Sequence, residues 1–152
     1  MRIFVLGFVL SLLAGMAGGP PAAMAVDSDE PGPARGAPDL TSVRARVKAS
    51  DFKRAIAELA PILKANPDAD GHNLMGFSLR KTGNFKQALV HYQKALDLDP
   101  KHKGALEYLG ELYVETNRID QAKEIAARLR KACPQGCEEL TDLEKAIATA
   151  AR

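Results

Sequence analysis

The sequence predicts an all-α fold: a stack of about three helix-turn-helix repeats followed by a C-terminal capping helix. The first observation is an internal repeat, because small, aromatic and proline positions coincide when the chain is shifted against itself by 34 residues. The coinciding pairs are Gly76 and Gly110, Ala88 and Ala122, Tyr92 and Ala126, Ala95 and Leu129, and Pro100 and Pro134. The second observation is that the apolar residues between successive prolines follow the helical period and not the alternation of a strand.

The chain begins with the features of a secretory signal peptide. Met1 and Arg2 give a short positive start, residues 3–17 are strongly apolar, and residues 23–25 form an Ala-Met-Ala cleavage site. A permanent membrane anchor is the alternative, but this apolar run is shorter than the roughly 20 residues that span a bilayer. We therefore expect cleavage after Ala25, a periplasmic or secreted protein, and no stable membrane insertion after cleavage.

The composition of the next segment and of the whole chain narrows the class of protein further. Residues 26–38 consist mostly of Pro, Gly and charged residues with almost nothing to bury, so we expect a disordered lead-in. The chain has 21 Lys and Arg against 19 Asp and Glu, a net charge of +2. This near-neutral balance is not typical of an electrostatic nucleic-acid binder or of a polybasic membrane surface. We therefore expect no nucleic-acid partner.

The first clear repeat is a pair of helices joined by a tight turn. Its first helix spans residues 69–82 and ends at Gly83, because glycine readily adopts the left-handed conformation that ends a helix. Asn84 can cap the second helix, since Gln87 follows three residues later as a capping box requires, and this helix runs to about Leu98. The same pattern returns in the second clear repeat, with helices over residues 103–116 and 118–132 and Asn117 in the turn.

A weaker copy of the repeat precedes these two. Residues 50–56 match residues 83–89 at a shift of 33, and apolar residues and a proline continue the match to Pro67. Its first helix, about residues 39–49, keeps three apolar residues: Leu40, Val43 and Val47. We predict a degenerate N-terminal repeat, which gives three repeats, about the minimum for a stack with a buried core.

The last predicted element is a helix over residues 138–150. One apolar stripe runs along it, formed by Leu140, Leu143 and Ile147. Thr141 and Glu144 have the spacing of a capping box. Because the apolar face of a terminal repeat needs a cover, capping of the stack is the favoured role. Recruitment of a partner through this helix is the alternative.

Residues 36–134 resemble tetratricopeptide repeats. Gly76 and Gly110 fall where that family keeps a small residue so that the paired helices approach closely. Other small positions are filled by Ala88, Ala95 and Ala122, and large positions by Tyr92 and Tyr113. The departures are His72 and Leu106, where the family often has Trp, and Ala126 and Leu129, which exchange the usual large and small residues. The resemblance implies a right-handed superhelical stack whose concave groove holds a peptide or protein segment. It is specific for architecture and weak for function.

The predicted organisation combines the targeting segment with the repeats. Residues 1–25 are the signal peptide and residues 26–38 the disordered lead-in. The tetratricopeptide repeats cover residues 39–134, with units at 39–67, 69–100 and 103–134. The capping helix lies within residues 135–152.

One face of the first helix in each repeat is the candidate binding surface. The resemblance implies that this face lines the concave groove, and its members recur at helical i, i+3 or i+4 spacing. It comprises Arg44, Lys48, Asn73, Phe77, Arg80, Lys81, Glu107, Tyr108, Glu111 and Glu115. Its charge runs from basic to acidic, so the acidic end of a partner would meet Arg80 and Lys81, and its basic end Glu111 and Glu115. The alternative is an ordinary solvated helix face whose charges are sorted by chance.

Cys133 and Cys137 are the most specific feature outside the repeats. Two cysteines in an exported protein usually form a disulfide, and a turn through Gly136 can bring their Cα atoms within range. Such a bridge would attach the capping helix to the last repeat and contribute on the order of 2 kcal/mol. The alternative is a small redox or copper-handling protein, since paired cysteines can chelate a soft metal. The spacing is not the C-x-x-C of thioredoxin, however.

No other motif in the sequence indicates catalysis. We expect His72 to be half-buried, His91 to face solvent and His102 to lie in a turn, and no two of them have i, i+4 metal spacing. The sequence has no G-x-S-x-G, H-E-x-x-H or Gly-rich phosphate loop. We therefore predict a non-enzymatic periplasmic protein–protein interaction module, a scaffold or assembly factor, with no catalytic residues, metal or cofactor. The sequence does not predict its oligomeric state.

Overall fold

The structure of the protein, a computed structural model, describes residues 36–150. The predicted signal peptide and the first ten residues of the predicted lead-in lie outside the described residues. Seven α-helices and no strands make up the described part of the chain, so the predicted all-α class is confirmed. They are α1 (Thr41–Lys48), α2 (Phe52–Ala65), α3 (Ala69–Lys81), α4 (Phe85–Leu98), α5 (Lys103–Glu115), α6 (Ile119–Ala132) and α7 (Glu138–Ala150). None of these helices is long and apolar enough to cross a membrane.

The helices form three consecutive pairs and a final single helix. In each pair, α1 with α2, α3 with α4 and α5 with α6, the two helices pack against each other. The first helices also contact one another in sequence, α1 with α3, α3 with α5, and α5 with α7. The helices α1, α3, α5 and α7 therefore form one layer of the stack, and α2, α4 and α6 form the other.

The turns inside the three pairs are built alike. Ser50, Gly83 and Asn117 occupy equivalent places and all have positive φ, at 58°, 81° and 57°. In the middle turn the amide of Gly83 donates to the carbonyl of Arg80 at 2.9 Å, and the next amide donates to the carbonyl of Leu79. The other two turns repeat both bonds at the corresponding residues. Glycine adopts this left-handed conformation without an energetic cost, whereas serine does not. The less suitable residue, Ser50, belongs to the first pair, whose sequence diverges most from the repeat.

Of the two helix caps predicted from capping-box spacing, one is confirmed and one is wrong. Asn84 accepts a hydrogen bond from the amide of Gln87 at 3.3 Å, as the capping-box spacing predicts. The capping box predicted for α7 is wrong, because Thr141 lies inside that helix and its hydroxyl donates to the carbonyl of Cys137 at 3.2 Å. The i−4 carbonyl is an alternative partner for a helical threonine hydroxyl.

Two glycines mark the closest helix contacts of the core. A Cβ atom on Gly76 would lie 2.6 Å from the ring of Tyr92, the large residue of the same pair. A Cβ atom on Gly110 would lie 2.5 Å from both methyl groups of Leu143 on α7. The expectation that Gly110 serves the contact with its own paired helix is thus corrected, since the fully buried Leu143 approaches it instead.

Candidate functional site

The predicted groove residues lie on α1, α3 and α5, the layer of first helices. We call this side of the stack, together with the side chains that α7 adds to it, the groove face. Contacts join its members across neighbouring helices: Phe77 meets Tyr108, and Arg80 meets both Glu111 and Glu115. The α1 residues Arg44 and Lys48 are exposed.

Aromatic rings connect three helices along the groove face. The ring centroids of Phe77 and Tyr108 are 4.8 Å apart, and those of Phe77 and Phe52 are 5.9 Å apart in an edge-on arrangement. Phe77 and Tyr108 are each half-buried, so part of both rings remains open to solvent. Lys81 places its ammonium 5.3 Å from the centroid of Phe77. Phe52 was not predicted to belong here, because it starts α2 and its helix lies in the other layer.

Arg80 differs from its expected role. It is only 4% exposed, and its guanidinium lies over the rings of both Phe77 and Tyr108, at 5.6 and 5.5 Å from their centroids. One of its terminal nitrogens donates a hydrogen bond to Glu115 at 2.8 Å, and the other forms an ion pair with Glu111 at 2.6 Å. Arg80, which the sequence analysis expected to receive the acidic end of a partner, is thus buried and already paired with two carboxylates of the protein itself.

The α5–α7 end of the groove face is acidic. Burial, followed by the charges of Glu111, Asp142 and Glu139, raises the pKa of Glu107 to about 7 against an opposing effect of Arg80. Glu139 and Asp142 lie on α7 and were not among the predicted site residues. The spacing of residues in the sequence shows that α7 has a polar side, but it does not show that Glu139 and Asp142 approach α5. α7 thus forms a wall of the groove face as well as a cover for the core.

At the α1–α3 end of the groove face, Asp70 contacts both Arg44 and His102. Asp70 accepts a hydrogen bond from Arg44 at 2.5 Å and lies 2.8 Å from Nε2 of His102. Burial alone would raise the pKa of Asp70, but the hydrogen bonds with His102 and Arg44 hold it below its ordinary value. Nδ1 of His102 accepts a hydrogen bond from the amide of Ala105 at 3.1 Å, so the residue expected in a turn caps α5. Arg44 is consequently engaged within the protein.

Asn73 is the buried polar member of the predicted set. It is 9% exposed, and within the described part of the chain its Oδ1 has no hydrogen-bond partner. Its Nδ2 lies 3.1 Å from the place that a Cβ atom on Gly104 would occupy, in the first turn of α5. Buried carboxamide oxygens are normally hydrogen-bonded, so this one is an acceptor still available at the junction of α3 and α5.

Two histidines come together where the sequence indicated no association. Nδ1 of His72 on α3 lies 3.0 Å from Nδ1 of His91 on α4. The expectation that His91 faces solvent is wrong, because it is half-buried against its partner. Burial, followed by the charges of His72 and Lys94, lowers the pKa of His91 to about 4, and burial lowers the pKa of His72 as well. The pairing joins residues on different helices and has no short-range spacing that would predict it.

The two cysteines lie in the short connection between α6 and α7. Their Cα atoms are 6.0 Å apart, within the range that a disulfide requires, and Cys133 is buried. The disulfide itself stays a prediction. Within residues 36–150, no three or more His, Cys, Asp or Glu side chains are grouped so as to hold a metal ion.

Comparison with known proteins agrees with the architecture. Residues 79–149 match the family model for the tetratricopeptide repeat. A 90-residue stretch is 30% identical to E3 SUMO-protein ligase RanBP2 of Drosophila melanogaster, and covers 58% of this chain but 3% of that protein. The chain thus spans a very small part of this relative.

Two solved structures show the same fold at low sequence identity. One is the first TPR of Spaghetti (RPAP3) bound to HSP90 peptide SRMEEVD, at a TM-score of 0.64 and 17% identity over 73% of this chain and 89% of that chain. The other is the TPR2B domain of yeast Sti1 in a complex with pHsp70, at a TM-score of 0.66 and 19% identity over 72% of this chain and 90% of that chain. With the family model matched over residues 79–149 and the stacked helix pairs, these likenesses show that the described part of the chain has the tetratricopeptide repeat fold.

Proposed function

We propose that this protein is a non-enzymatic interaction module that binds an extended or helical segment of a partner protein on its groove face. The observation that carries the proposal is the contact between Phe77 and Tyr108, two half-buried rings on successive helices of that face. Aromatic residues in partly desolvated positions often dominate the energy of protein interfaces. Charged residues on both sides would orient the partner and influence how fast it associates more than how tightly it binds.

The fold comparison supports the same class of function. One structural neighbour is bound to a peptide and another is part of a complex, as their descriptions state. A shared fold does not transfer a partner, so the identity of the bound segment must come from the side chains of this chain. Within the proposal the protein acts as a scaffold or assembly factor and performs no chemistry itself.

The first prediction removes the aromatic pair. We expect the double variant Phe77→Ala/Tyr108→Ala to lose partner capture in native crosslinking followed by mass spectrometry, while circular dichroism shows retained helicity. The matched control is Phe85→Ala/Val90→Ala on α4, since these side chains are 36% and 46% exposed on the other layer of the stack. Equal recovery of partners by Phe77→Ala/Tyr108→Ala and the parent would refute the groove hypothesis. The outer surface or α7 would then be the candidate.

The proposed location is the periplasm or the outside of the cell, on the grounds of the sequence features of residues 1–25. Intact-mass measurement of the protein isolated from its native cells tests this second prediction. We expect Val26 at the N-terminus. A membrane-bound form that still begins with Met1 would contradict cleavage and would favour the anchor.

A further inference from the structure

We propose that the α5–α7 end of the groove face takes a Lys- or Arg-rich segment of the partner, beside the aromatic contact of Phe77 with Tyr108. The inference rests on the proposed function and adds the chemical class of the partner. It departs from the charge gradient suggested by the sequence, in which both ends of the face were expected to receive opposite charges.

Carboxylates are in excess at the α5–α7 end of the groove face. Glu107, Glu111 and Glu115 on α5 share it with Glu139 and Asp142 on α7. Two cations accompany them: Arg80, which already bonds to Glu111 and Glu115, and Lys145, which lines the same depression between α5 and α7. Among the residues that the structure describes, Glu107, Glu139 and Asp142 form no ion pair. A cationic partner would supply the missing positive charge.

Glu107 lies among groups that make its ionisation costly. It is half-buried and faces Glu111 on its own helix, Glu139 and Asp142 on α7, and Arg80 on α3. The net effect of burial and of these charges is a pKa of about 7. An ammonium or guanidinium group placed here would lower that pKa again and would be attracted in return, so cation binding and proton release are coupled.

The neighbouring surface has a shape and polarity that suit a long cationic side chain. The depression between α5 and α7 combines Glu111 and Asp142 with the apolar side chains of Val114 and Ala146. Lysine and arginine suit such a surface, because their methylene stems cover apolar groups while the charged end reaches a carboxylate. At the junction of α3 and α5, the buried Oδ1 of Asn73 has no hydrogen-bond partner among the described residues, and a donor that reaches it would satisfy it.

The charges at the α5–α7 end also disfavour the opposite partner. Lys48 on α1 and Lys81 at the end of α3 are exposed cations, but Arg80 is held by two glutamates. An acidic segment would pair with these lysines. At the α5–α7 end it would meet like charges, which suppress the wrong partner at an interface. The peptide SRMEEVD in the structural neighbour carries acidic residues, so this chain selects a different class of segment within the same fold.

The test compares three fluorescently labelled synthetic peptides of equal length and equal apolar pattern, with Lys, Gln or Glu at every polar position. Fluorescence anisotropy with the parent protein at pH 8 and low salt should give a Kd for the Lys peptide that is about tenfold or more below that for the Gln peptide. The Glu peptide should bind most weakly. Added salt should reduce the preference for Lys, because exposed charges are screened.

Two paired variants locate the effect on the protein. Glu107→Gln/Asp142→Asn should weaken binding of the Lys peptide and leave binding of the Gln peptide unchanged. The matched control is Asp97→Asn/Glu124→Gln, which removes two exposed carboxylates from a depression between α4 and α6 and should alter neither.

The outcomes separate the inference from the proposed function. Equal affinity for all three peptides, no binding of any, or an unchanged Lys preference in Glu107→Gln/Asp142→Asn would overturn the inference. Loss of native partner capture in Phe77→Ala/Tyr108→Ala would still uphold the proposed function in each of those cases. A Lys preference that depends on the carboxylates, together with undiminished native capture by the aromatic variant, would uphold the inference and refute the proposed aromatic anchor.

Discussion

Two glycines at equivalent positions of successive repeats contact side chains from different parts of the protein. In the middle repeat Gly76 lies against Tyr92, which belongs to the second helix of the same pair. In the last repeat the equivalent Gly110 lies against Leu143, which belongs to α7, outside the repeat. In the middle repeat the glycine is thus covered by a side chain of the same repeat, whereas in the last repeat it is covered by a side chain of α7.

The sequence contains the reason for the difference. Ala126 stands 34 residues after Tyr92, so the second helix of the last pair lacks the large side chain that covers the glycine in the middle pair. Leu143 covers it instead and is fully buried. The same helix brings Glu139 and Asp142 close enough to Glu107 to raise its pKa. α7 therefore links the stability of the last repeat to the charge of the groove face.

The largest effect on this comparison should come from Leu143→Ala. The substitution removes a fully buried side chain and opens a cavity above Gly110, and such changes cost about 2–5 kcal/mol of unfolding free energy. Urea unfolding measures the loss, and hydrogen exchange should show that protection falls most in α5 and α6. The matched control is Ile147→Ala on the same stripe of α7, where the side chain is only half-buried and the loss should be smaller. Equal losses in the two variants would mean that Leu143 does not complete the last repeat.

The contrast shows which part of this structure the sequence could predict. The 34-residue match identified Gly76 and Gly110. Gly83 and Asn117 were predicted to be turn residues, because local conformation depends on nearby residues. The residue that covers Gly110 was not identified, since Leu143 lies outside the match and nothing in the periodicity relates the two.

The same limit applies to the candidate site. The spacing of residues on one helix indicated which of them share a face, and Phe77 and Tyr108 do meet across two helices. The partners of Arg80 could not be derived, because Glu111 and Glu115 follow it by more than 30 residues and their approach depends on how α3 and α5 pack. Charges assigned to a face from sequence are therefore not necessarily free for a partner.

The second test enlarges Gly110 instead of shortening Leu143, the side chain that covers it. Gly110→Leu should cost about 1–3 kcal/mol or more by overpacking, because even its Cβ atom would lie 2.5 Å from the methyl groups of Leu143. Thermal unfolding measures the effect. A melting curve equal to that of the parent would show that Gly110 is not in close contact.

A double-mutant cycle then assigns the strain to this pair. Gly110→Ala should be clearly less destabilising in the Leu143→Ala background than in the parent, since the shortened side chain leaves room for the added methyl group. Simple addition of the two effects would place the strain elsewhere on α5.

The smallest expected effect, and the last, is an opposite response of the two contacts to pH. The α3–α4 contact includes His91, whose pKa is lowered from 6.5 to about 4, so the unfolded chain binds more protons between those values. Its contribution to stability is therefore lost as pH falls from 6.5 toward 4. The α5–α7 contact includes Glu107, whose pKa is raised from 4.5 to about 7, so the folded protein binds more protons in that window. Its contribution is lost as pH rises from 4.5 to 7.

Urea unfolding of the parent, His91→Gln and Glu107→Gln between pH 5 and pH 8 separates the two contributions. Relative to the parent, Glu107→Gln should gain stability at pH 8, where the parent holds an unfavourable charge, and lose that advantage toward pH 5. His91→Gln should lose less stability than the parent between pH 7 and pH 5. Both side chains are partly exposed, so solvent screens their charges and each change should be on the order of 1 kcal/mol. Parallel curves for all three proteins would show that neither group titrates differently in the folded and unfolded states, and the contrast between the two contacts would then be one of packing alone.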